Sequence, residues 1–464
     1  MGFLPLWSGA QSVHFRGAEA VYVDLVTVEG NKQTRTSIIL RELTFAEGDT
    51  LPVATLAKTL ELSENLVLNT GLFNEVAIVF KRWEGASGKV HIHVKVEEAW
   101  YLYPIPRFEL ADRNFNVWWV EQNRSLDRIN YGLEFTHLNT TGRRDKFQIG
   151  AIFGYTQQLT LAYSLPYINA RQTIGIGGEI SYARNREVNY ATLDNSQAFY
   201  NPDSSYVYRR LYSNLTLTLR PGLRTRHQFQ LDYQQNHIAE EVALELNPDF
   251  FLGGRRMQRF FSLRYLYQFE NRDVRFYPWS GSYFSFELEK DGLGFFSDRN
   301  ALTMRVRYDH HLPFSRRFSL GLSGNAQVGI IRQQQPYNDN RALGFNGNNI
   351  RGYEYYVVDG MDMLLIKTSL HFFLWDTNIN FGKLMPIPAF RRLPLRFYFS
   401  LNNDAGIAND PFLNEAVNPL NGKWLWGGGL GLNIVIFYDK VFRVEYSVNQ
   451  MGEAGLFLHT SLNI

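Results

Sequence analysis

From Trp100 to the C-terminus the chain keeps a period of two almost everywhere. Ile129, Tyr131, Leu133 and Phe135 alternate with Asn130, Gly132, Glu134 and Thr136, and Leu302, Met304, Val306 and Tyr308 oppose Thr303, Arg305, Arg307 and Asp309. Phe442, Val444, Tyr446 and Val448 oppose Arg443, Glu445 and Ser447 in the same way. Rows of this kind put apolar side chains on one face of a strand and polar ones on the other. A large soluble β-protein and a membrane barrel both satisfy that pattern, and composition separates them. Aromatic residues make up 15% of the chain, while hydrophobic residues reach only 45%. No stretch approaches the roughly 18 uncharged apolar residues a membrane-crossing helix requires. An outer-membrane barrel accounts for all three facts, because lumen positions dilute every apolar run and aromatics gather at the two interfaces. With one row in lipid and the other lining a wet lumen, Arg305, Arg307 and Glu445 need no burial in hydrocarbon.

The alternating runs number about sixteen, an even count as bacterial barrels require. The first is Tyr101–Leu110; the eleventh to thirteenth are Phe318–Ile331, Met361–Leu374 and Leu395–Asp404; the last is Gly455–Asn463. Short links such as Gly142-Arg143 and Tyr438-Asp439 alternate with longer polar ones such as Asn185 to Ser205. That asymmetry predicts short periplasmic turns and long outer loops.

Before the barrel, residues 20–98 read as strand, helix, helix, strand, strand. Val21, Val23 and Leu25 alternate, Thr34 is placed to cap a short helix, and a second helix is expected from Asp49 or Thr50 with Pro52 in its first turn. Asn69-Thr70-Gly71-Leu72-Phe73 ends that helix and leads into two strands, the second carrying Val90, Ile92, Val94 and Val96. His91 and His93 share its polar face, and a solvated face is the preferred reading over a metal pair. Residues 1–19 form an N-terminal extension. Met1 to Ala10 has no charged segment followed by a long apolar core, so no secretory signal is read there and the chain is expected to be a processed or engineered form. The balance of 47 basic and 45 acidic residues calls for no nucleic acid, and the absence of cysteine removes disulfide and thiolate chemistry. There is no zinc-helix, nucleophile-elbow or phosphate-loop motif, so no catalytic residue, cofactor or metal is assigned. Gly427-Gly428-Gly429 lies inside a strand, where glycine permits bending or close packing.

The segment 332–360 is too long for an ordinary connection, which makes it functional or disordered. Arg351 beside Gly352, with Tyr353, Tyr355 and Tyr356, is poor material for a solvated loop. The expectation is that it folds back into the barrel and is anchored there through Arg351. In the thirteenth run, Leu395, Phe397, Phe399 and Leu401 point one way and Arg396, Tyr398, Ser400, Asn402 and Asp404 the other. Asp404 therefore belongs to the lumen, and arginine can grip a carboxylate through two donors at once.

Residues 20–98, with Gly30-Asn31, Gly48-Asp49 and Asn69-Thr70-Gly71-Leu72-Phe73 in order, resemble a POTRA domain. Ile350-Arg351-Gly352-Tyr353 resembles the loop signature of the BamA/TamA superfamily. Asn402-Asn403-Asp404-Ala405-Gly406 resembles its thirteenth-strand motif, with Asn402 departing at the first position. Asp273, Pro278 and Gly281 are similar to the pattern that opens its ninth strand. The expected fold is a small α+β POTRA domain followed by a 16-stranded antiparallel transmembrane β-barrel, residues 99–464.

The resemblance implies an assembly factor or translocase in the bacterial outer membrane, with the POTRA domain in the periplasm and no covalent chemistry. Its partners would be unfolded or nascent outer-membrane proteins or an exported polypeptide, outer-membrane lipid, and accessory subunits. The implied machinery is a seam between first and last strands, at Tyr101, Pro104, Pro106, Gly452, Gly455, Leu458 and Ile464. Pro104 and Pro106 either weaken that seam or mark the domain linker, and Gly452 and Gly455 are either a turn or a bend in the closing strand. The alternatives are a passive porin-like channel and a lipid-modifying barrel enzyme. The last run resembles the terminal insertion signal of such barrels, although it ends in Ile464 rather than an aromatic.

Overall fold

The computed structural model describes residues 19–84, 88–169, 171–202, 205–384, 391–413, 418–436 and 440–462. The chain divides into two compact units, residues 1–101 with 138–145, and 102–137 with 146–464.

The first unit has the element order β1 (Ala20–Glu29), α1 (Thr36–Glu42), β2 (Thr50–Pro52), α2 (Val53–Leu68), β3 (Phe73–Glu84) and β4 (Lys89–Glu98). Its sheet order is β2-β1-β4-β3, with β1 and β4 parallel. Val21, Val23, Val90, Ile92 and Val94 are fully buried, as are Ile38, Ile39, Leu56 and Val67 on one face of each helix. α2 stops at Asn69, where Thr70 Oγ1 donates to the Val67 carbonyl and Gly71 takes a φ of +75°.

Three local expectations change. Helix α2 starts at Val53, because Thr50–Pro52 is a short strand antiparallel to β1, too brief to show a period of its own. Thr34 does not cap α1; its buried hydroxyl meets Tyr101 Oη and the Asn139 amide, each at 2.8 Å. His93 is buried rather than solvated, because its ring lies between Thr27 Oγ1 and Glu29 at 2.7 Å each.

The second unit opens with β5 (Leu102–Leu110), β6 (Ile129–Leu138), β7 (Lys146–Gly154), β8 (Thr156–Leu165) and β9 (Ile174–Asn185). A hairpin of β10 (Val188–Leu193) and β11 (Ser196–Tyr200) follows. Then come β12 (Tyr208–Leu219), β13 (Thr225–Ile238), β14 (Met257–Glu270), β15 (Gly281–Asp291), β16 (Ala301–Pro313) and β17 (Phe318–Gly329). The last five are β18 (Asp362–Asn380), β19 (Arg392–Asn409), β20 (Leu425–Ile436), β21 (Lys440–Asn449) and β22 (Ala454–Leu462).

Without the β10–β11 hairpin these strands form one antiparallel sheet of sixteen, ordered from β22 back to β5. The expected barrel is therefore observed. The long loop follows its eleventh strand, and Asp404 lies on its thirteenth. Side chains on the two faces differ as the alternation requires: Tyr131, Leu215, Leu401 and Tyr446 are more than half exposed on the outside, while Asp232, Asp309, Asp404 and Glu445 are buried on the inside. β18 and β19 run further than the alternation suggests. Their extra residues, from Trp375 to Asn380 on β18, are exposed and polar-rich, and form a projecting hairpin.

Candidate functional site

The connection between β17 and β18 folds back against the lumen face of the wall because it carries apolar side chains that water would otherwise surround. Ala342, Leu343, Ile350, Tyr353 and Val358 are buried with the wall residues Met363, Leu365, Ala408 and Leu425. A single bridge, Leu343 to Val358, closes the base of the loop. Three glycines allow the backbone to come this near. Gly352 has a φ of +82°, and a Cβ there would lie 2.9 Å from the Asn449 amide nitrogen. A Cβ at Gly406 would meet Ile350 at 2.9 Å, and one at Gly427 would fall 1.8 Å from the Arg351 carbonyl. The close-packing role holds at Gly427.

That approach delivers Arg351, only 8% exposed, to two carboxylates. Its Nη1 lies 2.5 Å from Asp404 Oδ1, its Nε 3.0 Å from Glu445 Oε1, and its main-chain N–H donates to Asp404 Oδ2 at 3.2 Å. Asp404 is 1% and Glu445 2% exposed, so each charge relies on these partners in place of water. Lys367 Nζ stands 3.7 Å from Asp404, and Arg443 Nε 4.0 Å from Glu445. Asn402, the departure from the motif, donates to Glu445 Oε1 at 2.9 Å and steadies the second carboxylate. Alternation on β21 puts Glu445 in the lumen but does not pair it with Arg351. Its parity on β21 was the available signal.

The same loop reaches both ends of the sheet. On the β22 side, Tyr355 packs on Phe457 with ring centroids 5.8 Å apart, and Glu354 approaches His459 Nε2 at 3.5 Å. Asn449 Nδ2 donates to the Gly352 carbonyl at 2.8 Å. On the β5 side, Arg113 donates to the carbonyls of Gly344, Tyr355 and Tyr356, and Asn114 Nδ2 to that of Glu354 at 2.8 Å. Arg113 and Asn114 sit in an aperiodic loop, and nothing in the sequence singles them out.

β5 and β22 are the two ends of the hydrogen-bonded order. The β5–β6 register is unbroken, and bonds from Leu138 N–H to the Tyr101 carbonyl and from Ala111 N–H to that of Arg128 flank it. Odd-numbered residues of β5 therefore bond to β6, and even-numbered ones face the open edge. Pro104 and Pro106 are both even. They remove two donors from that edge. Tyr101 precedes β5, and its hydroxyl donates to the Leu72 carbonyl at 3.2 Å within the first unit. Gly452 takes a φ of +82° in the turn before β22, while Gly455 leaves room for the Phe457 ring, which a Cβ would meet at 2.8 Å. Leu458 presents its N–H at the β22 edge, where it donates to Asn116 Oδ1 at 3.1 Å. Ile464 lies outside the described residues.

A family model described as the Omp85 superfamily domain matches residues 139–379, just over half of the chain. The chain belongs to the Omp85 superfamily. A second model, for the POTRA domain and described as a surface antigen variable number repeat, matches residues 21–99 of this Omp85 protein. Among solved structures, BamA from Haemophilus ducreyi lacking POTRA domains 1–3 is 15% identical, with a TM-score of 0.56 over 95% of this chain and 84% of that one. CdiB from Escherichia coli is 12% identical, with a TM-score of 0.57 over 95% of this chain and 75% of that one. These likenesses concern the fold. No curated protein matches. Membership puts this Omp85 barrel in the bacterial outer membrane, among proteins that insert or secrete polypeptides.

Proposed function

We propose that this protein assembles outer-membrane proteins or translocates polypeptides through the seam between β5 and β22, with its POTRA domain in the periplasm. The carrying observation is the edge of β5, where two of the five outward-facing positions are prolines. A sheet edge in a bilayer leaves N–H and C=O groups without water, a costly state that an incoming strand relieves by pairing. An edge short of two donors pairs weakly with β22 and exchanges partners readily. Arg351, Asp404 and Glu445 then hold the long loop against β19 and β21, so the wall beside the seam stays ordered while the seam itself gives way. The POTRA sheet ends in the edge strands β2 and β3, where a client can add by main-chain pairing. Outer-membrane lipid meets the apolar rows of the barrel, and accessory subunits fit the same POTRA edges.

A passive channel fits less well. Asn195, at the tip of the β10–β11 hairpin, is 1% exposed and bonds the Val357 carbonyl and the Leu420 N–H at 3.0 Å each, which fastens the hairpin across the long loop. The test is a liposome assay with an unfolded barrel protein as client. Accelerated client folding, abolished by a disulfide engineered between β5 and β22, supports the reading. Large steady conductance without accelerated folding refutes it in favour of a channel.

A further inference from the structure

The loop that follows β5 ends its first turn in a short helix, Phe115 to Glu121, and Asn116 projects from it onto the edge of β22. Asn116 Nδ2 donates to the Leu456 carbonyl at 2.7 Å, and Leu458 N–H donates to Asn116 Oδ1 at 3.1 Å. Only one orientation of the carboxamide satisfies both bonds. Leu456 and Leu458 are two apart, so their main-chain groups share an edge, and the β21–β22 register continues unbroken through them. A carbonyl and an N–H two residues apart are what a single residue of a neighbouring parallel strand engages. The side chain thus stands where backbone would, beyond the end of the strand that carries the two prolines.

This contact is held from several sides. Two residues earlier, Asn114 accepts from the Val117 N–H at 2.9 Å and donates to the Glu354 carbonyl of the long loop, which fixes the turn that aims Asn116. Phe115 stacks on Trp119 at 5.4 Å, and Trp118 is tilted against Phe115 at 5.7 Å, on the same helical turn. From the lumen side, Tyr355 of the long loop packs on Phe457 between the two bonded leucines.

We infer that the edge of β22 around Phe457 is a docking site for an extended polypeptide and that the Asn116 carboxamide is its resident latch, displaced when a strand pairs there. The inference rests on the seam reading above and adds the register at which pairing begins. A client strand satisfies the main chain of both Leu456 and Leu458, whereas the carboxamide engages one group of each. Displacement therefore exchanges two hydrogen bonds for up to four. Because Asn114 ties the same turn to Glu354, loss of the latch also loosens the contact between this turn and the long loop.

The experiment compares the intact protein with Asn116→Ala and Asn116→Asp in liposomes. Aspartate keeps the acceptor for Leu458 and loses the donor to Leu456. Two quantities are measured: amide exchange at Leu458, and the folding rate of a urea-unfolded eight-stranded barrel protein. We expect Asn116→Ala to raise exchange at Leu458 roughly fivefold or more, the factor that corresponds to about 1 kcal/mol, and to speed client folding in step. Asn116→Asp should fall between, and an unchanged denaturant midpoint in detergent for both variants shows that the barrel has folded. Unchanged exchange overturns the latch, and raised exchange without faster client folding overturns its role in docking. A β5–β22 disulfide separates the two readings. If it blocks client folding while Asn116→Ala does nothing, the latch falls and the seam stands; if it leaves client folding untouched, the seam falls and the latch with it.

Discussion

Replacing Arg351 with alanine removes the guanidinium that pairs with both Asp404 and Glu445. Truncating one partner of a buried ion pair costs about 3–5 kcal/mol, because the remaining charge is left without water or counter-ion. Here two charges are stranded, Asp404 and Glu445, both at most 2% exposed. Several contacts survive, however. Lys367 stays 3.7 Å from Asp404, Arg443 4.0 Å from Glu445, and the main-chain N–H at 351 still reaches Asp404. These place the expected loss near the lower end, about 3 kcal/mol. If opening of the loop absorbs that loss, its open population rises about a hundredfold, since each 1.4 kcal/mol is a factor of ten. Limited proteolysis between residues 332 and 360, with denaturant unfolding in detergent, measures both routes. Asp404→Asn supplies the decisive control. In the Arg351→Ala background it removes a stranded charge, so the double variant should be less damaged than the sum of the single changes, with a coupling of about 0.5–3 kcal/mol. Strict additivity, or unchanged protease protection and midpoint in Arg351→Ala, would refute the anchoring role. Arg351→Lys should lie between, because a point-like ammonium cannot span Asp404 and Glu445 as the guanidinium fork does.

Other outcomes follow from the same geometry. Gly427→Ala puts a Cβ 1.8 Å from the Arg351 carbonyl, so we expect a loss of about 1–3 kcal/mol and new protease cleavage in the long loop without any change of charge. Pro104→Val with Pro106→Val restores two donors to the open edge of β5. Each new bond contributes about 0.5–1.5 kcal/mol, so the seam should hold more firmly, and client folding in liposomes should slow. Asn195→Ala removes bonds to Val357 and Leu420, and deuterium exchange at the Leu420 amide should rise markedly. Burial alone would raise the Glu98 carboxyl, but the main-chain N–H of Thr34, with other donors including that of Gln33, holds it below the usual glutamate range. A depressed carboxyl contributes stability that is complete above its unfolded value and is lost as pH falls through the folded one. The first unit of the intact protein should therefore become pepsin-sensitive below about pH 4, and Glu98→Gln should flatten that dependence.

Much of this molecule is local. A two-residue period is written residue by residue. It marks which side chains meet lipid, how many strands there are, that Asp404 faces inward, and that an arginine-bearing loop precedes the strand before it. Motif resemblance supplied the rest of the outline. Whatever depends on register was not legible. β2 is three residues long and shows no period, and His93 is buried only because β1 brings Thr27 and Glu29 alongside it. Glu445 becomes the second partner of Arg351 only once β21 is two strands from β19 and the glycines of β20 let the loop descend between them. Pro104 and Pro106 acquire their meaning from the parity of their pairing with β6, and Asn116 from the strand end it happens to meet, some 340 residues further along the chain. The reason is geometric. Alternation specifies the face of each strand, whereas a hydrogen bond between distant residues exists only after the whole sheet has set their positions to within an ångström.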